Sequence, residues 1–212
     1  MKKYLELFMN GFDETLAEKI KLENWPFVGH DMVSGEVVYT EVPKPATGPA
    51  DNEIWYTSRD GNVVYPNSTD AFGVNIVSNT YENGKGIIKF ANSVAEIGYS
   101  AFYNCSSLTS ITIPNSVESI GGDAFYGCTS LTSFIIPDSV MSVGERAFFS
   151  CRGLTSVVIP NSVTSIERLS FSNCWSLKSI TFKGTMEEWD AVTKGDNWND
   201  VVPATHVQCS DG

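Results

Sequence analysis

Leu108-Thr109-Ser110-Ile111-Thr112-Ile113-Pro114-Asn115-Ser116-Val117, running on through Ile120 and Ala124-Phe125 to Cys128, is the stretch that decides the fold. Its key positions return every 23 residues. Cys105, Cys128, Cys151 and Cys174 form one series, and Phe102, Phe125, Phe148 and Phe171 a second. Val94, Val117, Val140 and Val163 keep the same step, as do Ile97, Ile120, Val143 and Ile166, and Leu108, Leu131, Leu154 and Leu177. A fixed period of this length is the signature of a solenoid, in which each unit is one coil. Within the unit, Ile111 and Ile113 alternate with Ser110 and Thr112, which predicts a strand with the isoleucines inward. Pro114 ends it, having no N–H for a ladder. The segment from Val117 to Cys128 carries apolar residues at three- and four-residue steps, which predicts a short helical or 3₁₀ return.

One coil cannot stand alone. It offers about seven sizeable apolar side chains at roughly 1.5–3 kcal/mol each. Ordering its backbone costs roughly 1–2 kcal/mol per residue. Stacking on neighbours reduces the deficit, so such units come in arrays.

The repeat string 108–117, with Ile120 and Ala124-Phe125, resembles the BspA-like leucine-rich repeat family. Gly184-Thr185-Met186-Glu187-Glu188-Trp189 and the closing Cys209-Ser210-Asp211-Gly212 look like the usual ending of its arrays. The resemblance implies a right-handed superhelix with a parallel β-sheet along one face. It also implies a surface or secreted protein, often of gut or oral bacteria and in some cases an adhesin. No catalytic residues come with it. The expected fold class is therefore an α/β solenoid with helical or 3₁₀ returns and a small N-terminal α+β module. The fourth coil departs from the pattern: Glu167 stands in the column of Gly98, Gly121 and Gly144, and Ser170 in that of Ala101, Ala124 and Ala147. The first change implies that this turn does not strictly need a positive φ.

The ends follow from where the period decays. Counted at 23 residues, Thr185, Met186 and Trp189 fall at the Ser162, Val163 and Ile166 positions. Thr185 and Glu188 have capping-box spacing, which predicts a helix over Met186–Val192 and a cap with Trp189 over the core. His206–Cys209 is expected to add a last strand. Upstream, Asp70-Ala71-Phe72 echoes Asp123-Ala124-Phe125, and Asn83-Gly84 predicts a hairpin inserted before Ala101-Phe102. Asp60-Gly61 predicts another, between Ile54–Tyr56 and Val63–Tyr65. Residues 1–49 do not follow the repeat. Leu5, Phe8, Phe12, Leu16 and Ile20 predict an amphipathic helix. Phe27–His30 and Val37–Thr40 predict a hairpin around Ser34-Gly35, and Pro43–Pro49 a semi-rigid linker. The expected division is 1–49 and 50–212, the latter split into an N-terminal cap (50–90), regular repeats (91–182) and a C-terminal cap (183–212).

Several functions are disfavoured. The 212-residue chain has 14 Lys and Arg against 25 Asp and Glu, a net charge of −11. That argues against nucleic acid as a partner, since phosphates need clustered cations. No apolar run is long enough for a membrane span. Glu6, Asn10, Asp13 and Glu14 interrupt what would be the apolar core of a signal peptide, so no leader is read. The cysteines lack the close pairs of zinc motifs and read as small buried hydrophobes. Only two histidines occur, His30 and His206, and they suggest no catalytic triad. Asp196, Asn197, Asn199 and Asp200 do not match a calcium loop and read as a turn around Trp198. No catalytic residue, metal or cofactor is expected.

The outward face of the strands remains. Its positions are Ile87, Lys89, Ser110, Thr112, Ser133, Ile135, Ser156, Val158, Ser179 and Thr181. Small β-formers suit a crowded sheet, and a flat Ser/Thr array makes a poor hot-spot cluster. The leading expectation is a non-enzymatic binding or adhesion module that recognises a protein or glycan at a bacterial surface, with this face as one candidate site and the caps as the other. The alternative is a structural protein, in a cell envelope or phage-like appendage. There residues 1–49 would anchor or self-associate and the solenoid would be a display spacer.

Overall fold

A computed structural model describes residues 48–212 and the strands β1 (His30–Val33) and β2 (Glu36–Tyr39). The chain forms two compact units, Met1–Thr47 and Gly48–Gly212. In the first, β1 and β2 are antiparallel, with Val33 opposite Glu36 and His30 opposite Tyr39. These strands lie on either side of Ser34-Gly35, as the predicted hairpin has it, and Phe27–Gly29 of its predicted first strand lie outside the described residues. The predicted helix over Leu5–Ile20 and the linker residues Pro43–Thr47 lie outside the described residues.

The second unit is a solenoid of five coils. The last four coils each contribute to two parallel ladders, and the first coil to one of them. The first ladder holds β9 (Ser133–Ile135), β11 (Ser156–Ile159), β13 (Ser179–Phe182) and β15 (Val207–Gln208), in parallel. Equivalent residues pair across it: Ser133 with Ser156 and Ser179, and Phe134 with Val157 and Ile180. The inward members Val157 and Ile159 are 1% and 0% exposed, which is what the alternation requires. The second ladder consists of two-residue strands: β6 (Glu96–Ile97), β8 (Ser119–Ile120), β10 (Ser142–Val143), β12 (Ser165–Ile166) and β14 (Thr193–Lys194). There is thus a second parallel sheet where one was expected.

The return from β8 to Cys128 is not a helix. Ala124, Tyr126 and Cys128 donate their amides to the carbonyls of Gly121, Asp123 and Phe125, as in a 3₁₀ turn. The intervening amides of Asp123, Phe125 and Gly127 donate to Glu145, Ala147 and Phe149 of the next coil. Alternate N–H groups are committed to a neighbour, so no continuous helix can form. Left-handed residues carry this zigzag, in one column at Ser100, Asp123, Arg146 and Leu169 and in another at Asn104, Gly127, Ser150 and Asn173.

Gly98, Gly121 and Gly144 lie outside the left-handed region. Their role is close approach. A Cβ on Gly144 would sit 2.6 Å from the carbonyl carbon of Gly121 and from the amide nitrogen of Gly122. The serines before each coil's core valine act similarly across coils: the Ser116, Ser139 and Ser162 hydroxyls donate to the carbonyls of Val94, Val117 and Val140.

A phenylalanine stack runs through the core. Ring centroids lie 5.3 Å apart for Phe102–Phe125, 5.1 Å for Phe125–Phe148 and 5.0 Å for Phe148–Phe171, with planes nearly parallel. Phe134 wedges against both Phe125 and Phe148, at 5.1 and 4.8 Å. Phe72 closes the stack at one end, 5.7 Å from Phe102, and Trp198 at the other, 6.2 Å from Phe171 and edge-on.

The N-terminal cap is an antiparallel sheet ordered β4 (Ile76–Glu82), β5 (Lys85–Phe90), β3 (Glu53–Ser58), β7 (Leu108–Thr112). The Asn83-Gly84 hairpin is present, both residues being left-handed (φ 52° and 80°) as a type I′ turn requires. The Asp60-Gly61 hairpin is absent. β3 gives its two edges to β5 and β7, and Val63–Tyr65 runs as irregular chain. That chain is tied down by side chains: Val64 N–H donates to the Tyr56 hydroxyl, and Asn79 Nδ2 to the Val64 carbonyl. The Asp70–Phe72 turn acts as a degenerate coil, its Ala71 carbonyl accepting from the Gly98 amide at 2.6 Å.

The C-terminal cap contains the predicted helix, α1 (Met186–Ala191). Its capping box is complete: Thr185 Oγ1 accepts from the Glu188 amide at 3.2 Å, and Glu188 Oε2 from the Thr185 amide at 2.8 Å. The expected register is corrected. Trp189 does not take the Ile166 position. Lys194 does, pairing with Ile166, and Phe171 N–H donates to the carbonyl of Trp198, as Phe148 does to Ser170. Equivalent residues are thus 28 apart here, because α1 adds residues to the last coil before the pattern resumes at Thr193. Trp189 still seals the end, 9% exposed and 5.1 Å from Phe182. The final strand forms as β15, with Val207 opposite Ile180.

Candidate functional site

The outward residues singled out from sequence fall into two sheets. Lys89, Ser110 and Thr112 belong to the antiparallel cap, whereas Ser133, Ile135, Ser156, Val158, Ser179 and Thr181 belong to the parallel ladder. No ladder joins β7 to β9; the Thr132 amide bonds the Thr109 carbonyl at 3.2 Å across the seam. The expected columns exist in the parallel ladder, where serines pair with serines, and Ile135 faces Val158, which faces Thr181. In the cap, Ser110 pairs with Thr57, Thr112 with Trp55 and Lys89 with Glu53. Ile135 is 64% exposed, an uncommon position for an isoleucine in the middle of a β-surface.

Sequence reading missed the cap's contribution. Trp55 lies between Ile87 and Thr112 on the outward face of β3. Its ring carries the Lys85 ammonium at 3.1 Å from the centroid, and its Nε1–H donates to Glu53 Oε2 at 2.9 Å. Lys89 pairs with the other Glu53 oxygen at 3.1 Å. The Trp55 hydrogen bond, and then Lys89, hold the Glu53 carboxyl below the usual carboxylate range against the opposing effect of burial. The signal was the alternation of buried Ile54 and Tyr56 around Trp55. The face therefore has an aromatic, charged end and a hydroxyl-lined, aliphatic middle.

The cysteine column has a different role. Cys128, Cys151 and Cys174 are fully buried and donate S–H to the carbonyls of Phe102, Phe125 and Phe148, each at 3.1 Å. All five cysteines are free thiols. Burial pushes Cys105 up to about 11 and Cys174 up to about 12, with Cys128 and Cys151 also raised well above the ordinary thiol value. A protonated, buried thiol is a poor nucleophile and a poor metal ligand. Among the described residues no group of three or more His, Cys, Asp or Glu side chains could hold a metal ion. Thiol-reactive disulfide reagent at pH 8 is expected to leave Cys128, Cys151 and Cys174 unmodified until denaturant is added; rapid native labelling would contradict this. Stability should hold below about pH 8.5, where both states keep their thiol protons, and fall as pH rises further, because the unfolded chain then ionises first.

The repeat geometry coincides with a family match. Residues 74–192 match the "BspA type Leucine rich repeat region", in six copies. The chain belongs to this family. Three solved structures are similar to this BspA-type array. A leucine-rich cell surface protein from Faecalibacterium prausnitzii A2-165 is 34% identical over 48% of this chain and 33% of its own, with a TM-score of 0.41. A leucine-rich repeat protein from T. pallidum is 32% identical over 55% of this chain and 53% of its own, with a TM-score of 0.48. One from Bacteroides ovatus is 27% identical over 49% of this chain and 33% of its own, with a TM-score of 0.36. The chain thus spans between a third and about half of the length of these proteins. No curated protein matches it. No helix among the described residues is long and apolar enough to cross a membrane.

Proposed function

We propose that this chain is a non-enzymatic binding module of a bacterial cell surface, and that its outward sheet face engages a macromolecular ligand. The observation that carries the reading is the row from Trp55 through Thr112, continued beyond the seam by Ile135 and Val158. An exposed apolar centre is bordered there by hydroxyls and, at the cap end, by Glu53, Lys85 and Lys89. Apolar centres with polar rims are the anatomy of protein interfaces. Protein ligands are therefore favoured over glycans, because Trp55 has one ring face occupied by Lys85 and offers little stacking surface for a sugar. The surface location is supported by the family and by the cell surface protein among the similar structures.

The test is a binding screen of the folded chain against host matrix proteins and glycans. A protein ligand bound through this face should lose about tenfold or more in affinity with Ile135→Asp and with Trp55→Ala, since each removes an anchor or buries a charge. A ligand unaffected by both substitutions, or a screen without hits, would count against the sheet face.

A further inference from the structure

The 28-residue step in the last coil builds a second surface away from the sheet face. Ser106, Thr129, Arg152 and Trp175 occupy one column of the array at 23-residue spacing, and the longer step brings Pro203 into line after them. The column therefore changes along the solenoid from small hydroxyls to Arg, Trp and Pro. Trp175 is 54% exposed, and the Arg152 guanidinium carbon stands 4.4 Å from its ring centroid. Beside them, Trp175, Val201, Val202 and Pro203 line a shallow depression.

Two observations mark this as more than a leftover of capping. Val201 is left-handed (φ 56°) and 57% exposed. It stands in the column otherwise filled by Asn104, Gly127, Ser150 and Asn173, residues that enter this region more easily. A β-branched residue there is strained by about 1–3 kcal/mol, and its exposed side chain recovers nothing in the core. Arg152 is also exposed, and among the described residues no carboxylate lies within ion-pair distance of it, although the protein is strongly acidic. A guanidinium seated over an indole face, with no carboxylate partner, keeps N–H donors for an incoming carboxylate.

We propose that the Arg152–Trp175–Pro203 row is a protein-docking site for a segment that sets a carboxylate beside an aliphatic or aromatic side chain. The carboxylate takes the edge of Arg152, and the apolar group fills the depression between Trp175 and Val201. Acidic glycans fit less well, because Val201, Val202 and Pro203 offer no side-chain donor or acceptor to sugar hydroxyls.

Random peptides displayed against the full chain test this. Enriched peptides should pair Asp or Glu with an apolar neighbour. Their affinity should fall about tenfold or more with Arg152→Glu, with Trp175→Ala, and on changing the peptide's Asp or Glu to Asn or Gln. Added to labelled wild-type protein, they should move the Trp175 indole and Arg152 Nε–H resonances and leave the Trp55 indole in place, a readout that needs no variant. Three results would overturn the proposal: no enrichment, peptides that bind Trp175→Ala like wild type, or binding at Trp175 by acidic glycans and not by peptides. Because the Trp55 resonance reports the sheet face separately, failure here leaves that reading independently testable.

Discussion

Phe148→Ala is expected to destabilise the protein by about 4 kcal/mol, the largest effect of any single truncation in the array. Phe148 is fully buried and makes three ring contacts, with Phe125 at 5.1 Å, Phe171 at 5.0 Å and Phe134 at 4.8 Å. Removing it loses the transfer energy of the ring and leaves a cavity between two coils. The coils are fixed by Phe148 N–H to Ser170 O at 2.7 Å and by the adjoining turn bonds, so they cannot collapse to fill it. The contrast is the outer aromatic row Tyr103, Tyr126 and Phe149, stacked at 4.8 and 5.2 Å but only half-buried. Urea unfolding followed by circular dichroism measures both. A loss at Phe148 no larger than at Phe149 would show that the inner stack does not hold the coils together.

Gly144→Ala is the second large effect, with an expected loss of about 3 kcal/mol. Outside the left-handed region, Gly to Ala ordinarily stabilises by about 0.4–1 kcal/mol, because the unfolded chain has fewer states to lose. Here the clash outweighs that gain. The new Cβ would meet backbone of Gly121 and Gly122 at 2.6 Å, and Gly144 N–H is tied to the Ile120 carbonyl at 2.7 Å. Gly48→Ala is the control: a Cβ there meets nothing within 4 Å, and the change should stay within about 0.5 kcal/mol. Thermal unfolding of the two variants decides it, and a Gly144→Ala protein as stable as wild type would refute the close-approach account. Glu167 does carry a side chain in this column, in a coil where Ser170 also replaces alanine. The Ser170 hydroxyl bonds both the Gly144 and the Glu167 carbonyls, at 2.9 and 2.6 Å. Gly144→Ala alone supplies no such bridge.

The coils, their strands and their core columns were legible because a 23-residue period exposes every inward position several times over. Of the helical or 3₁₀ return, only isolated 3₁₀-type turns form, and the reason is physical: apolar spacing reports which side chains face inward, not where the amides go. In the turn, every second amide goes to the next coil. Residues such as Arg146 and Leu169 give no compositional hint of their left-handed φ. The hairpin at Asp60-Gly61 failed because the turn signal is local, whereas β3 is claimed by two distant strands, β5 and β7. The same long-range pairing placed Trp55 on the outward face beside Thr112, so the aromatic, charged end of that face was overlooked. The C-terminal register slipped because α1 lengthens the last coil. Its true alignment is visible only when Gly195 to Trp198 is matched to Gly121 to Ala124, with Trp in the place of Ala. That same slip brings Pro203 next to Trp175.

The commitment of alternate turn amides to the neighbouring coil also governs how the array answers a mechanical load. Every bond between coils, in both ladders and in the turns between them, lies along the stacking direction. A pull along that direction loads the bonds of one junction at a time, as in opening a zipper, rather than shearing many together. Each released coil of 23 residues gives up roughly 75 Å of slack, its extended length at about 3.3–3.6 Å per residue less the strand spacing it occupied. A protein built this way would lengthen in steps under tension, and the remaining coils would keep their outward faces intact.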